Sequence, residues 1–333
     1  MKLLPVGLGL GLILSGVLIV GGLLLTWPQA GSFQQVYGVT FSPRQAVGLG
    51  LDWQVTYRAL LEDLAVKHLR LAAYWDEIEP ESGKFDFADL DYQMDMAQHY
   101  DAEVVLAVGR KLPRWPECHI PAWARDLSEA EQQSHALAML AVVTRRYRDH
   151  PSLTMWQLEN EPFFDFGICP PPDALYLRQQ QETIRDLDTQ PILVTDSGEL
   201  SWWLETAQFG DIFGTTMYRT VFSQRTGRLF AYDYLMPAWF YRLKARLVGV
   251  VRGKGVIISE LQGEPWGAKP FVQMSAAERE AAFPVRRLWV LQQFARRTQL
   301  PLAYWWGSEY WYWEKEKNNN PAYWELARTF FLP

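Results

Sequence analysis

The chain is poor in cysteine, histidine and charged residues. Its 333 residues include 2 Cys and 5 His, and charged residues make up 21%. Two cysteines exclude a disulfide-rich scaffold and a four-cysteine zinc site. A net charge of -6 gives no reason to expect a nucleic-acid partner, which needs a basic surface. The few histidines have no Ser or Cys partner pattern, so a nucleophilic triad is not expected.

Aromatic residues are, by contrast, abundant. The chain has 16 Trp, 15 Tyr and 17 Phe, and 49% of its residues are hydrophobic, which excludes extensive disorder. A tryptophan ring is a flat amphipathic plate that can stack on a sugar face, but it also fills protein cores. The composition therefore suggests carbohydrate binding without requiring it.

Residues 1–31 are predicted to be separate from the rest of the chain. No charged side chain occurs from Leu3 to Trp27. These 25 residues exceed the about 20 that a helix needs to cross a bilayer. Lys2 precedes the run, so the positive-inside rule places the amino terminus in the cytoplasm and the remainder outside it. We expect a single transmembrane anchor. Secretion after signal-peptide cleavage is the alternative.

Residues 32–333 are predicted to form one α/β domain, a (β/α)8 TIM barrel. Short apolar runs rich in β-branched residues are the candidate strands, and most precede a stretch with helical spacing. These runs are 36–41, 68–75, 103–109, 153–159, 192–196, 212–218, 256–260 and 302–306. Helices are predicted at 127–147, 173–187 and 276–297. A doubly wound sheet is the alternative, although the first strand lacks the glycine-rich turn typical of that fold.

Polar residues collect at the carboxyl ends of the predicted strands, where such barrels place their chemistry. The fourth run leads into Asn160-Glu161-Pro162, and the seventh ends in Glu260. Two carboxyl groups ~5–5.5 Å apart are what a retaining glycosidase needs, so we expect Glu161 and Glu260 to meet over a substrate. Glu264 lies beyond the seventh strand, and we interpret it as a loop residue rather than the nucleophile.

The motifs resemble clan A of the glycoside hydrolases, with families 5, 39 and 42 the most similar. The likeness rests on Asn160-Glu161-Pro162, on Ile258-Ser259-Glu260, and on Arg70, Tyr218 and the pair Trp305-Trp306. The resemblance implies an acid/base role for Glu161 and a nucleophile role for Glu260. It implies no metal or organic cofactor, because two carboxyl groups carry the proton chemistry.

Roles for the surrounding side chains also follow from the resemblance. Asn160 is expected to hold the 2-hydroxyl of the sugar, while Arg70 and Tyr218 hydrogen-bond the nucleophile. Trp305 or Trp306 is expected to form the floor of the cleaved subsite. Two further tryptophans that follow strand ends are candidate substrate-binding residues, namely Trp75 and Trp266.

The two cysteines fall in neighbouring loops. Cys118 follows the third predicted strand and Cys169 the fourth, so both lie at one rim of the barrel. Outside the cytoplasm they are expected to form a disulfide. A metal site with His119 is the alternative, although it lacks an evident fourth ligand.

The sequence thus predicts a membrane-anchored retaining β-glycosidase that acts outside the cytoplasm on a poly- or oligosaccharide. A transglycosylase that remodels glycan shares every residue named above. A catalytically inactive carbohydrate-binding barrel is the alternative from a different functional class.

Overall fold

The computed structural model describes residues 33–223, 226–233 and 235–332. Eight parallel strands close into a barrel in which the first strand pairs with the last, with Val36 opposite Leu302. The predicted barrel is therefore confirmed, and the doubly wound alternative is wrong because an open sheet has no such closing pair. The strands are β1 (Val36–Thr40), β2 (His68–Ala72), β3 (Glu103–Val108), β4 (Leu153–Leu158), β5 (Ile192–Asp196), β6 (Ile212–Met217), β7 (Thr220–Ser223), β8 (Arg228–Ala231), β9 (Gly255–Gln262) and β10 (Leu302–Trp306).

Helices follow the barrel strands and cover the outside of the sheet. They are α1 (Pro43–Gly48), α2 (Trp53–Glu62), α3 (Trp75–Ile78), α4 (Ala88–His99), α5 (Glu129–Tyr147), α6 (Ala174–Arg185), α7 (Ala238–Arg252), α8 (Ala276–Ala282), α9 (Val285–Thr298), α10 (Ser308–Asn318) and α11 (Ala322–Phe331). Short 3₁₀ turns lie at Ala122–Ala124, Thr206–Phe209 and Phe271–Gln273. The predicted helices at 127–147 and 173–187 correspond to α5 and α6.

The helix predicted at 276–297 is wrong as one element, because Pro284 divides it into α8 and α9. Proline has no backbone N–H to donate and its ring collides with the preceding turn, so it is tolerated only where a helix begins. The second predicted strand is also too long. β2 ends at Ala72, and Trp75 opens the short helix α3.

Burial on both faces explains why the strands have near-continuous apolar sequences. Outward-facing side chains pack against the helices in one large core. Inward-facing side chains form a smaller cluster that fills the barrel interior, made by Val105, Leu193, Ile257 and Tyr304. The barrel interior is therefore packed here, and we refer to the end of the barrel at the carboxyl termini of its strands as the mouth.

The longer connection between β6 and β9 contains a hairpin and a helix. β7 and β8 pair as an antiparallel hairpin, and α7 is the helix that returns the chain to the barrel. The predicted membrane segment, Leu3 to Trp27, lies outside the described residues. Within the part of the chain that the structure describes, no helix is both long enough and apolar enough to span a bilayer.

Candidate active site

Glu260 lies near the carboxyl end of β9 and is held by two donors. Arg70 on β2 donates from Nη1 to Oε1 at 2.9 Å, and the Tyr218 hydroxyl donates to Oε2 at 2.6 Å. Glu260 is 3% exposed and Arg70 is fully buried. The contacts predicted for Arg70 and Tyr218 are thus present. A buried carboxylate with a guanidinium and a phenol as donors is stabilised in its ionised form.

Glu161 follows β4 and has very different surroundings. Its backbone adopts a positive φ of 45°, a conformation that is uncommon for a residue other than glycine. The Thr216 hydroxyl donates to Oε1 at 3.0 Å, and no cationic group pairs with this carboxyl among the described residues. Burial raises the pKa of Glu161 well above its ordinary value, and the charge of Glu260 raises it further.

Thr216 shows how close the two glutamates are. It stands directly opposite Glu260 in the pairing of β6 with β9, and its hydroxyl contacts Glu161. Thr216 therefore connects the strand position next to Glu260 with the Glu161 carboxyl. Glu260 has a cationic donor, whereas the donor to the Glu161 carboxyl is the Thr216 hydroxyl.

Asn160 links both glutamates to the rest of the mouth. Its Oδ1 accepts from Arg70 Nη2 at 2.8 Å, so the side-chain amide points its Nδ2 away from the arginine. Nδ2 donates to Oε2 of Glu117 at 3.3 Å. An amide nitrogen has two hydrogens, and the second is available to a substrate hydroxyl.

Glu117 is a third buried carboxyl at the mouth that sequence reasoning missed. It lies in the loop after β3, next to Cys118, and is 5% exposed. Burial, together with the charge of Glu260, raises the pKa of Glu117 to about 8. No motif marks this residue. The available signal was its position beside a cysteine predicted to tie two mouth loops together.

Cys118 and Cys169 form a disulfide with a Cα–Cα distance of 5.2 Å. The bridge joins the loops after β3 and β4, as predicted. Because the two sulfurs are bonded to each other, the alternative metal site with His119 is wrong. Across residues 33–223, 226–233 and 235–332, no group of three or more His, Cys, Asp or Glu could hold a metal ion.

Two of the four candidate tryptophans lie at the mouth. The ring centroids of Trp266 and Trp306 are 4.8 and 6.5 Å from that of Tyr218, which contacts Glu260. Trp266 is 40% exposed and Trp306 is 8% exposed. Both rings therefore lie beside the tyrosine that donates to Glu260.

The assignments of Trp75 and Trp305 to substrate binding are wrong for this structure, because both side chains are fully buried. Trp305 stacks on Phe330 of α11 with ring centroids 5.4 Å apart. Trp75 packs edge-on against Trp123 at 5.7 Å and donates to Glu79. Successive strand residues point to opposite faces, so Trp305 faces the helices while Trp306 faces the mouth.

Glu264, the competing acid, belongs to a separate network beside the mouth. Its Oε1 accepts from Arg114 at 2.7 Å and from Trp306 Nε1 at 2.8 Å. Arg114 also donates to Glu309 at 2.9 Å and lies over the Trp306 ring at 4.1 Å. This pairing holds Trp306 in place. It supports the interpretation of Glu264 as a loop residue rather than the nucleophile.

Comparisons with known proteins find similarity to glycoside hydrolases. A beta-galactosidase family model, that of glycoside hydrolase family 42, matches residues 52–132. The matched segment includes Arg70 and ends before Glu161. A beta-galactosidase from an Arthrobacter species is 28% identical over 145 residues, which are 35% of this chain and 21% of the relative. Another, from Clostridium perfringens, is 28% identical over 159 residues, 41% of this chain and 22% of the relative.

Solved structures share the fold. A beta-galactosidase from Marinomonas has a TM-score of 0.55 at 13% identity, covering 81% of this chain and 54% of that chain. An endo-glycoceramidase from a Rhodococcus species also has a TM-score of 0.55, at 14% identity, covering 83% and 74%. In fold and in these partial sequence matches the chain is similar to glycoside hydrolases, which supports the resemblance to clan A. The sequence matches span only about a fifth of the length of the curated relatives.

Proposed function

We propose that this clan A barrel is a retaining β-glycosidase with Glu260 as nucleophile and Glu161 as acid/base. The observation that carries the proposal is the contrast between the two buried carboxyl groups. Glu260 accepts from Arg70 and Tyr218, whereas Glu161 has one hydroxyl donor, Thr216. A nucleophile must be ionised and a general acid must hold its proton at the same pH.

In the first step, a carboxylate oxygen of Glu260 bonds to the anomeric carbon of the sugar. The bond from that carbon to the leaving oxygen breaks, and Glu161 gives its proton to this oxygen. The products are a glycosyl ester on Glu260 and the released alcohol. Asn160, whose Nδ2 retains one free amide hydrogen, is positioned to bind the 2-hydroxyl while charge develops on the sugar ring.

In the second step, water hydrolyses the glycosyl ester on Glu260. Glu260 is then neutral, so the charge that raised the pKa of Glu161 is gone and Glu161 can act as a base. It takes a proton from the water, whose oxygen bonds to the anomeric carbon, and the Glu260 carboxylate leaves. Two inversions return the sugar to its original configuration.

We propose a β-galactoside as the first substrate to test, because the family model and the sequence relatives described above are beta-galactosidases. We also propose that the domain acts outside the cytoplasm. The Cys118–Cys169 disulfide supports this location, since disulfides persist in oxidising compartments. Anchoring by residues 1–31, or secretion after their cleavage, stays a prediction.

A mechanism-based inhibitor tests the assignment directly. Incubation with 2,4-dinitrophenyl 2-deoxy-2-fluoro-β-D-galactoside is expected to add one fluorosugar to the protein. Peptide mapping by mass spectrometry is expected to place it on Glu260. With 4-nitrophenyl β-D-galactoside, NMR is expected to show the β-anomer of galactose as the first product. Labelling at another residue, or the α-anomer first, contradicts the proposal, and sugar binding without turnover indicates an inactive barrel.

A further inference from the structure

Glu117 is a buried acid for which the two-carboxyl mechanism has no role. Its Oε2 accepts from Asn160 Nδ2 at 3.3 Å, on the amide that also contacts Arg70. Within the described residues, no donor contacts Oε1, and this atom is not sealed from solvent. One oxygen of the carboxyl is therefore occupied, and the other is free at the mouth.

The protein does not neutralise this acid with a cation. The charges of Lys111 and Arg70 lower its pKa, but both cations donate their hydrogen bonds to other groups. Lys111 Nζ donates to the backbone carbonyls of Glu161 and Phe164. Arg70 donates to Gln157, Thr40, Asn160 and Glu260. An unpaired buried carboxyl costs stability, so its presence calls for an explanation.

The loop holds Glu117 rigidly in place. Gly167 has a φ of +93°, and a Cβ added there would lie 2.5 Å from the Glu117 Cβ. The backbone of the loop after β4 therefore packs directly against the Glu117 side chain. The neighbouring Cys118 is fixed to Cys169, and the Leu112 amide donates to the Glu117 carbonyl at 2.7 Å. A side chain fixed in this way is preorganised for binding rather than free to turn away.

We propose that Glu117 is a specificity-determining residue of the sugar subsite, whose free carboxyl oxygen hydrogen-bonds the 2- or 3-hydroxyl of the sugar. The inference rests on the proposed function. Neighbouring hydroxyls on a sugar ring are separated by about the length of one hydrogen bond. A ring held by the free amide hydrogen of Asn160 therefore presents its next oxygen to Glu117. With its pKa raised to about 8, Glu117 carries a proton at neutral pH and donates to that oxygen.

A residue that only positions Asn160 would behave differently. Its removal would lower activity on every substrate by a similar factor, because Asn160 would be displaced in each case. A residue that binds a hydroxyl affects only substrates with that hydroxyl. The two roles are separated by measuring the activity of Glu117 variants on the parent sugar and on analogues that lack one hydroxyl.

The experiment measures kcat/KM for 4-nitrophenyl β-D-galactoside and its 2-deoxy and 3-deoxy analogues. The enzymes are wild type, Glu117→Ala, Glu117→Asp and Glu117→Gln. Glu117→Ala and Glu117→Asp are expected to lose on the order of 10- to 100-fold on the parent substrate and less than about 3-fold on one deoxy analogue. Glu117→Gln, which keeps a donor and an acceptor, is expected to retain at least about a tenth of the wild-type value.

Glu79→Gln is the matched control. Glu79 is another buried glutamate, 5% exposed, but it accepts from Trp75 Nε1 and the Gly83 amide outside the mouth. Its variant is expected to match wild type on all three substrates. If Glu117→Ala does not fold, Glu117→Asp still withdraws the oxygen by one methylene and keeps the acid. Equal losses on all three substrates with either variant overturn the proposal.

Binding measurements separate this inference from the proposed function. Galactose, 2-deoxygalactose and 3-deoxygalactose are titrated into wild type and Glu117→Asp by NMR. Hydroxyl discrimination that depends on Glu117 without any turnover would refute the glycosidase and leave the sugar-binding role standing. If turnover requires Glu260 but the discrimination between hydroxyls does not depend on Glu117, the glycosidase proposal stands and the role of Glu117 is refuted.

Discussion

The ends of β4 and β9 carry the same functional group in opposite electrostatic surroundings. Glu260 on β9 accepts from a fully buried guanidinium, while Glu161 after β4 has one hydroxyl donor and three other carboxyl groups whose charge raises its pKa, those of Glu260, Glu117 and Asp196. In the first case the surroundings favour the anion, and in the second they favour the acid. Burial alone does not assign these roles, because both side chains are less than 10% exposed.

The difference arises from the partners that the barrel brings to each strand end. Arg70 is 190 residues before Glu260 in the chain, yet they share a hydrogen bond. Lys111 donates to the Glu161 backbone carbonyl rather than to its carboxyl. The barrel therefore supplies a cationic donor to the carboxyl of Glu260 and only a hydroxyl donor to that of Glu161.

Replacement of the β9 carboxyl is expected to have the largest effect. Glu260→Ala should lower kcat on 4-nitrophenyl β-D-galactoside on the order of 10⁴-fold or more, because no glycosyl ester can form. Added azide should restore turnover by attacking the vacated face, and NMR should identify the product as the α-galactosyl azide. Activity near the wild-type level would show that the two strand ends have been assigned wrongly.

Replacement of the β4 carboxyl should depend on the leaving group. Glu161→Gln is expected to cost about 10²–10⁴-fold on a natural disaccharide and far less on 2,4-dinitrophenyl β-D-galactoside, which leaves without a proton. Azide should here give the β-galactosyl azide, the opposite anomer from that of Glu260→Ala. Equal losses on both substrates would contradict an acid role.

Removal of the disulfide tests how much the loops after β3 and β4 depend on a covalent bond for stability. The paired Cys118→Ser and Cys169→Ser variant is expected to lose about 3–4 kcal/mol of unfolding free energy, since the bridge closes a loop with a sequence separation of 51. Chemical denaturation of both proteins measures the difference. A reducing agent should destabilise wild type and leave the double variant unchanged, whereas no change in either would show that the bridge is absent in solution.

The smallest effect should be a shift in pH dependence. Glu161 must be protonated to act as an acid and its pKa is raised, so kcat/KM should fall as pH rises through that pKa. The Thr216 hydroxyl stabilises the carboxylate and lowers this pKa. Thr216→Val should therefore move the alkaline limb to higher pH.

A neighbouring hydroxyl provides the control for this shift. Thr215 donates to a backbone carbonyl and has no hydrogen bond to Glu161. The pH profile of Thr215→Val should coincide with that of wild type. A profile of Thr216→Val that does not move would show that the alkaline limb belongs to another group.

Side-chain direction explains the failed predictions for two tryptophans. Trp305 and Trp306 are adjacent in sequence and have equal claims to the subsite floor. Because successive strand residues point to opposite faces, one ring points inward and the other outward. Only the register of β10 in the closed barrel decides which of the two points inward. Trp75 follows β2 but enters a helix, where it packs into the core. Its proximity to a strand end therefore gave no information about exposure.

The sequence by itself determined the eight-stranded barrel and the strand ends that carry Glu161 and Glu260, because apolar runs of strand length and their spacing are local properties. Only the tertiary structure decided which charges meet there. Glu117 entered the site through a loop closed by a disulfide, and Arg70 reached Glu260 through barrel closure. Electrostatic energy depends on distances of a few ångströms between groups far apart in the chain, and only folding sets those distances.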